Sequence, residues 1–197
     1  SVSHPDKVYR DRTVDFFNQH IEAAVQLDCD HMVVSTGFAY LDVDAEDAFG
    51  WCAEAMGRIA RKAEQEGVTL AVEPFTKYTT HICNEASQLR RLLRTVNSPR
   101  LTGLADTDVI ATTAVDTFST FLDVIGPENL GHVHFIDGNP GGHLVPGDGV
   151  LDLDGALEKL KAIHYTGALG LEVLDRRYVF APEAAMKQAM DWYKERI

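Results

Sequence analysis

Strand-like and helix-like segments alternate along almost the whole chain. Short apolar or β-branched runs such as HMVVSTG are each followed by a longer segment with apolar residues at helical spacing. This alternation predicts parallel β-sheet with crossover helices, and therefore an α/β protein. The predicted strands are 31–37, 68–75, 101–108, 132–137 and 168–174, and the predicted helices are 6–27, 46–66, 84–96, 113–125, 154–163 and 182–196.

Two α/β architectures fit this order, an open doubly wound sheet and part of a (β/α)8 barrel. An open nucleotide-binding sheet should carry a G-x-G-x-x-G or G-x-x-x-x-G-K-[ST] turn, and the sequence contains neither. A full barrel takes about 250 residues, whereas this chain has 197 and begins at Ser1 rather than Met. We therefore expect a single domain over residues 1–197 that supplies about the last five strand-helix units of a TIM barrel. The other three units would precede Ser1 or come from elsewhere.

The composition disfavours several classes of partner. The chain has 18 basic and 30 acidic residues, a net charge of −12, which argues against binding to a nucleic-acid backbone. Its apolar runs are too short for a membrane span, and no signal-peptide pattern opens it. The three cysteines form no C-x-x-C pair, so we expect neither a disulfide framework nor a thiolate zinc site. These features predict a cytoplasmic protein without nucleic-acid or membrane partners.

Polar residues mark the ends of four predicted strands. Glu73 ends VTLAV, Asp106 ends LTGLA, His134 lies in HVHF, and Glu172 follows ALGL. They are 33, 28 and 38 positions apart, each close to one strand-helix unit. Active sites of α/β proteins are built at the carboxyl ends of the strands. Because side chains alternate along a strand, we expect all four to point to the inner face together.

Three carboxylates that converge in a low-dielectric barrel mouth would repel one another and lose solvation. A divalent cation removes this conflict. Two Glu, one Asp and one His form an oxygen-rich set with one nitrogen, which suits Mn, Co, Mg or open-site Zn. Taken alone, Asp106 could instead be a helix cap and His132 a hydrogen-bonded core histidine.

The segment HVHFIDGNPGGHLVPGDG carries three histidines, His132, His134 and His143, on a strand and the loop after it. Its glycines allow the backbone to approach a ligand closely, and Pro146 stiffens the exit toward the helix start at Asp152 and Asp154. The alternative is a tolerant surface loop.

The motifs LAVEPF, LADTD, GHVHFIDG, PGDGVLD and LGLEVL together resemble the xylose-isomerase-like TIM barrels of the sugar phosphate isomerase/epimerase superfamily. The nearer likeness is to the ketose 3-epimerase branch, which includes fructoselysine 3-epimerase-like proteins. This resemblance implies one divalent metal ion, Mn most of all, with Mg, Co or Zn as alternatives, held by Glu73, Asp106, His134 and Glu172. It also implies a dimer or tetramer.

The resemblance implies proton transfer at a carbon next to a carbonyl, through a metal-stabilised enediolate, on a ketose or related polyol-like sugar. Glu73 and Glu172 would be the catalytic pair, one removing the proton and the other returning it. Return to the opposite face gives an epimer, and return to the adjacent carbon gives an aldose-ketose isomerisation.

Three positions differ from the pattern of some 3-epimerases. Val109 stands where they have a His, Pro140 where they have a substrate-gripping Arg, and Thr79 where they have a Glu. These differences favour a polyol-like substrate other than a free ketose. His143 could take the place of the Arg or face solvent. We predict His143 and His132 as substrate-binding residues.

Other functions share this scaffold. An inosose-type dehydratase begins with a similar proton abstraction and then loses hydroxide. An endonuclease IV-like metal hydrolase is disfavoured by the negative charge and by Val109. A non-catalytic metal- or sugar-binding barrel is disfavoured by the retained pair of glutamates.

Overall fold

The structure is a computed structural model that describes residues 1–196; Ile197, the last residue of the predicted domain, lies outside the described residues. The helices are α1 Lys7–Gln26, α2 Ala45–Glu66, α3 Ala86–Val96, α4 Thr107–Thr113, α5 Phe118–Ile125, α6 Leu153–Ala162 and α7 Pro182–Lys194. The strands are β1 His31–Ser35, β2 Thr69–Glu73, β3 Leu101–Asp106, β4 Leu130–His134 and β5 Leu169–Gly170. Among the described helices, none is both long enough and apolar enough to cross a membrane.

The five strands form one sheet in the order β1-β2-β3-β4-β5, and every neighbouring pair is parallel. Each strand therefore pairs with the next one in sequence, after a connection that contains a helix. This is the wall of a partial (β/α)8 barrel, as the sequence predicts.

The two faces of the sheet differ as the period-two pattern predicts. Leu70 and Val72 of β2 and Val133 of β4 belong to the main buried core, together with helix residues such as Met56 and Ile59 of α2. The alternate positions, such as Ala71 and Leu104, are also buried but lie outside that core cluster. The helices thus cover one face, and the strand ends are free to build a site on the other.

Capping residues explain where α2 begins and ends. Asp44 accepts hydrogen bonds from the backbone N–H groups of Glu46 and Asp47 at the start of α2. Gly67 ends that helix in the left-handed conformation, with φ of +75°. Both ends of α2 are therefore encoded locally.

The predicted helix over 113–125 is wrong in its first part. The structure instead has α4, which ends when Ala114 adopts a φ of +56°, and then α5, which begins at Phe118. Thr117 and Thr120 form a capping box that starts α5. The chain turns between the two helices because Ala114 leaves the helical region.

The last two strands are displaced from their predicted bounds. The predicted strand 168–174 is regular only over Leu169–Gly170, because Gly170 pairs with His134, the last residue of β4. β4 itself begins at Leu130 and ends before Phe135, whose N–H still donates to the carbonyl of Gly170. Glu172 thus lies two residues past β5 instead of within it.

Candidate metal centre and substrate site

Four predicted site residues meet at the carboxyl edge of the sheet. Glu73, Asp106, His134 and Glu172 each offer one ligand atom, and these atoms all lie within 4.8 Å of one another. Nδ1 of His134 lies 3.1 Å from Oε1 of Glu73, 3.2 Å from Oε2 of Glu172 and 3.4 Å from Oδ2 of Asp106. The imidazole is therefore surrounded by carboxylates.

The strand register explains this meeting. Glu73, Asp106 and His134 are the final residues of β2, β3 and β4. Between β3 and β4 the pairing shifts by one residue, from Gly103 opposite Leu130 to Leu104 opposite His132. That irregularity places Asp106 opposite His134, because the earlier register would have placed it opposite Val133. Paired residues on parallel strands project to the same face, so the carboxylate and imidazole become neighbours.

Asp106 uses its two carboxylate oxygens differently. Oδ1 accepts hydrogen bonds from the N–H groups of Asp108 and Val109, at 2.8 and 2.7 Å, and so caps α4. Oδ2 is buried and has no hydrogen-bond partner within residues 1–196. The helix-cap interpretation and the ligand interpretation of Asp106 are therefore compatible.

The electrostatics of the cluster favour a positive charge at its centre. Burial on its own would lower the pKa of His134, but the carboxylates of Asp106, Glu172 and Glu73 around its ring raise it to about 11. The neighbouring imidazoles of His134 and His143, which act as donors toward its carboxylate, lower the pKa of Glu172 to about 2. Three oxygen donors, one of them the buried and unpaired Oδ2 of Asp106, and one nitrogen donor fit a hard or borderline divalent cation.

His132 lies below this cluster, one inward-facing position earlier on β4. Its ring meets that of His134 edge to face, with the ring centroids 5.3 Å apart. Burial lowers its pKa, so the neutral imidazole is favoured. Gly170 makes room for the pair, since a Cβ there would lie 2.9 Å from Nε2 of His132. A substrate contact for His132 stays a prediction.

His143 reaches the site from the loop after β4. Its Nε2 lies 3.5 Å from Oε2 of Glu172 and 3.6 Å from Oδ2 of Asp106. Its Nδ1 lies 2.9 Å from Oδ2 of Asp108, a fully buried carboxylate. Asp108 is not among the site residues predicted from the sequence, although it is the second acid of LADTD and lies two residues after Asp106.

The loop that carries His143 is built around a second buried acid, Asp137. Its carboxylate accepts hydrogen bonds from four backbone N–H groups at 2.8 to 3.1 Å, those of Gly138, Gly147, Gly149 and Leu151. Leu144 and Val145 are buried, and Val145 packs against Ala185 and Ala189 of α7. This part of the loop is thus a packed element of the fold.

Sequence comparison decides the family. The xylose isomerase-like TIM barrel family matches residues 1–196, which is almost the whole chain. The chain belongs to this family. The resemblance read from the five motifs is therefore confirmed, and so is the barrel fold.

Individual relatives share between about a fifth and a third of their residues with this chain. A fructoselysine 3-epimerase of Shigella flexneri is 25% identical over 191 residues, which cover 96% of this chain and 68% of that protein. A ketose 3-epimerase of Arthrobacter globiformis is 32% identical over 118 residues, which cover 60% of this chain and 39% of that protein. The crystal structure of a 3-keto-D-glucoside 4-epimerase from E. coli superposes with a TM-score of 0.87 at 19% identity, over 98% of this chain and 74% of that one. This last likeness supports the fold alone.

Proposed function

We propose that this protein is a divalent-metal-dependent epimerase that acts on a ketose or a related polyol-like sugar. The observation that carries the proposal is the meeting of Glu73, Asp106, His134 and Glu172 at one edge of the sheet. The names of two curated relatives, both sugar 3-epimerases, support the substrate class. The proposed metal ligands are the same four side chains. A divalent cation held by them would act as a Lewis acid on a substrate carbonyl.

The strand order supports a role for the two glutamates as a proton-transfer pair at one carbon. Strand order puts Glu73, on β2, and Glu172, past β5, at the two ends of the cluster, with Asp106 and His134 between them. A sugar bound over the cluster would therefore lie between the two carboxylates. One of them, as the carboxylate, removes the proton next to the carbonyl, and the other, as the carboxylic acid, donates its proton to the opposite face, so that the two exchange protonation states. The result is inversion at that carbon.

The partial burial of both carboxylates supports their proposed role in proton transfer. The side chain of Glu73 is 12% exposed and that of Glu172 is 38% exposed. Glu73 is thus largely removed from water, whereas Glu172, after the edge strand β5, is more exposed. In such a site, hydrogen bonds and charges act with less screening than at the surface. We assign His143, at the mouth, and His132, below the cluster, to substrate binding.

Solvent exchange tests this proposal directly. Metal-loaded full-length protein is incubated in D₂O with D-fructose, D-tagatose, D-psicose and a panel of other polyol-like sugars, and the products are followed by proton NMR. We expect deuterium at the carbon next to the carbonyl together with a new epimer. General acid-base catalysis contributes about 10²- to 10⁴-fold, so Glu73→Gln and Glu172→Gln should each slow exchange by at least about 100-fold.

Glu158→Gln provides the matched control, because Glu158 is exposed on α6. It should keep the wild-type rate. The proposal fails if the wild-type protein exchanges no proton on any sugar with Mn, Mg, Co or Zn, or if Glu172→Gln exchanges as fast as wild type. Loss of water from a substrate would instead select the dehydratase.

A further inference from the structure

Asp108 holds one specific part of the loop after β4. The residue is fully buried, at 0% exposure. Its Oδ1 accepts a hydrogen bond from the N–H of Gly141 at 2.5 Å, and its Oδ2 accepts one from the N–H of His143 at 2.9 Å. The same Oδ2 lies 2.9 Å from Nδ1 of His143. Asp108 therefore binds both the backbone and the side chain of His143.

The surrounding backbone is shaped for this contact. His143 has a φ of +51°, a left-handed conformation that is uncommon for a residue with a side chain. Gly138 passes so close that a Cβ would lie 1.8 Å from Oδ1 of Asp108. Such conformations persist only where the surroundings hold them in place, and they cluster at binding sites.

The contact also decides which nitrogen of His143 faces the site. A carboxylate at Nδ1 favours the proton on Nδ1, because an acceptor there needs a donor. Nε2 is then directed toward Asp106 and Glu172, at 3.6 and 3.5 Å. Since the groups that border Nε2 are acidic, they disfavour a phosphate and suit an uncharged hydroxyl.

We propose that Asp108 is a positioning residue, which orients His143 so that Nε2 hydrogen-bonds an uncharged hydroxyl group of the sugar. His143 thereby selects for a hydroxylated, non-phosphorylated sugar at this end of the site. The inference deepens the proposed function and rests on it for the identity of the substrate. The orientation of the imidazole can be measured without turnover.

Nitrogen-15 NMR of the histidine rings tests the orientation. The metal-loaded wild-type protein should show His143 with its proton on Nδ1, and D-fructose or D-tagatose should shift the Nε2 signal. Asp108→Asn should abolish the Nδ1 preference and weaken the sugar-dependent shift. Asp137→Asn is the matched control, because Asp137 holds the same loop by four N–H groups and makes no hydrogen bond to the His143 ring. It should lower Tm yet keep the Nδ1 proton.

Steady-state kinetics tests the consequence for the sugar. His143→Ala should raise KM by about tenfold and change kcat by less than about threefold, as loss of a substrate hydrogen bond does. Asp108→Asn should raise KM in the same direction, and it should add less than about twofold in the His143→Ala background, because it acts through that ring. If Asp108→Asn does not fold, His143→Ala still gives the KM result.

The outcomes separate the two proposals. Equal losses in Asp108→Asn and Asp137→Asn, or a wild-type KM in His143→Ala with active enzyme, would overturn the positioning role. Absence of turnover together with a sugar-dependent shift at His143 would overturn the epimerase proposal and leave the positioning role supported. A wild-type His143 without a proton on Nδ1 would overturn the positioning role whatever the enzyme does.

Discussion

Asp106 and His134 occupy paired positions at the ends of β3 and β4, with Oδ2 of the aspartate 3.4 Å from Nδ1 of the histidine. The other oxygen of the same carboxylate caps α4 through two backbone N–H groups. One side chain therefore fixes the start of a helix and contributes to the proposed metal centre. These two roles can be separated by mutation.

Asp106→Asn should keep the cap and lose the metal. Asn caps helices about as well as Asp, so the metal-free variant should unfold near the wild-type Tm. Metal at about 100 times its Kd stabilises a folded protein by about 2.7 kcal/mol, a rise in Tm of roughly 5–10 °C for a chain of this size. The variant should lose most of that rise. Thermal unfolding with MnCl₂ and with EDTA measures both quantities.

Asp123→Asn is the control, since Asp123 lies on the exposed side of α5 and pairs with Lys159. It should retain the full metal-dependent rise. A full rise in Asp106→Asn would remove Asp106 from the proposed ligand set.

The four residues of the cluster could be predicted from the sequence because strand period and strand-end position are local properties. Glu73, Asp106 and His134 each end a strand, and one strand-helix unit separates each from the next. The shift in pairing at Gly103 could not be predicted, since register between strands depends on tertiary packing. Asp106 and His134 do lie side by side as predicted, but the register shift that pairs them was not part of the prediction.

Asp108 and Asp137 were missed for a different reason. Both are acids whose partners are backbone N–H groups of a distant or irregular loop. Nothing in the local pattern of LADTD or HFIDG distinguishes a buried acceptor from a surface carboxylate. The glycine content of the loop indicated close approach but not what approached.

Removal of the capping box of α5 should lower the stability of the fold. Thr117 accepts a hydrogen bond from the N–H of Thr120, and the Thr120 hydroxyl accepts one from the N–H of Thr117. Thr117→Ala removes half of this arrangement and should lower the free energy of unfolding by about 1 kcal/mol. Urea denaturation measures it. Thr117→Ser keeps the hydroxyl and should stay within about 0.5 kcal/mol of wild type, so an equal loss in both variants would exclude the cap as the cause.

Replacement of Gly50 by alanine should raise the stability of the fold. It lies within α2, where an added Cβ would meet nothing within 4 Å. Gly50→Ala should therefore stabilise the fold by about 0.5–1 kcal/mol through helix propensity and a smaller loss of chain entropy. Gly67→Ala is the opposite case, because Gly67 ends the same helix with a φ of +75°. It should destabilise by about 1 kcal/mol, and chemical denaturation of both variants should show the opposite signs.

A side chain at position 138 should lower the stability of the fold through one contact, that with Asp108. A Cβ at this position would lie 1.8 Å from Oδ1 of Asp108 and 2.5 Å from its Cγ, and the Asp108 side chain is fully buried. Gly138→Ala should therefore destabilise the fold by about 1–3 kcal/mol, as overpacking does. Asp108→Ala removes the opposing atoms, so Gly138→Ala should cost much less in that background. A double-mutant cycle of urea unfolding measures this coupling, and equal costs in the two backgrounds would show that the glycine is required for some other reason.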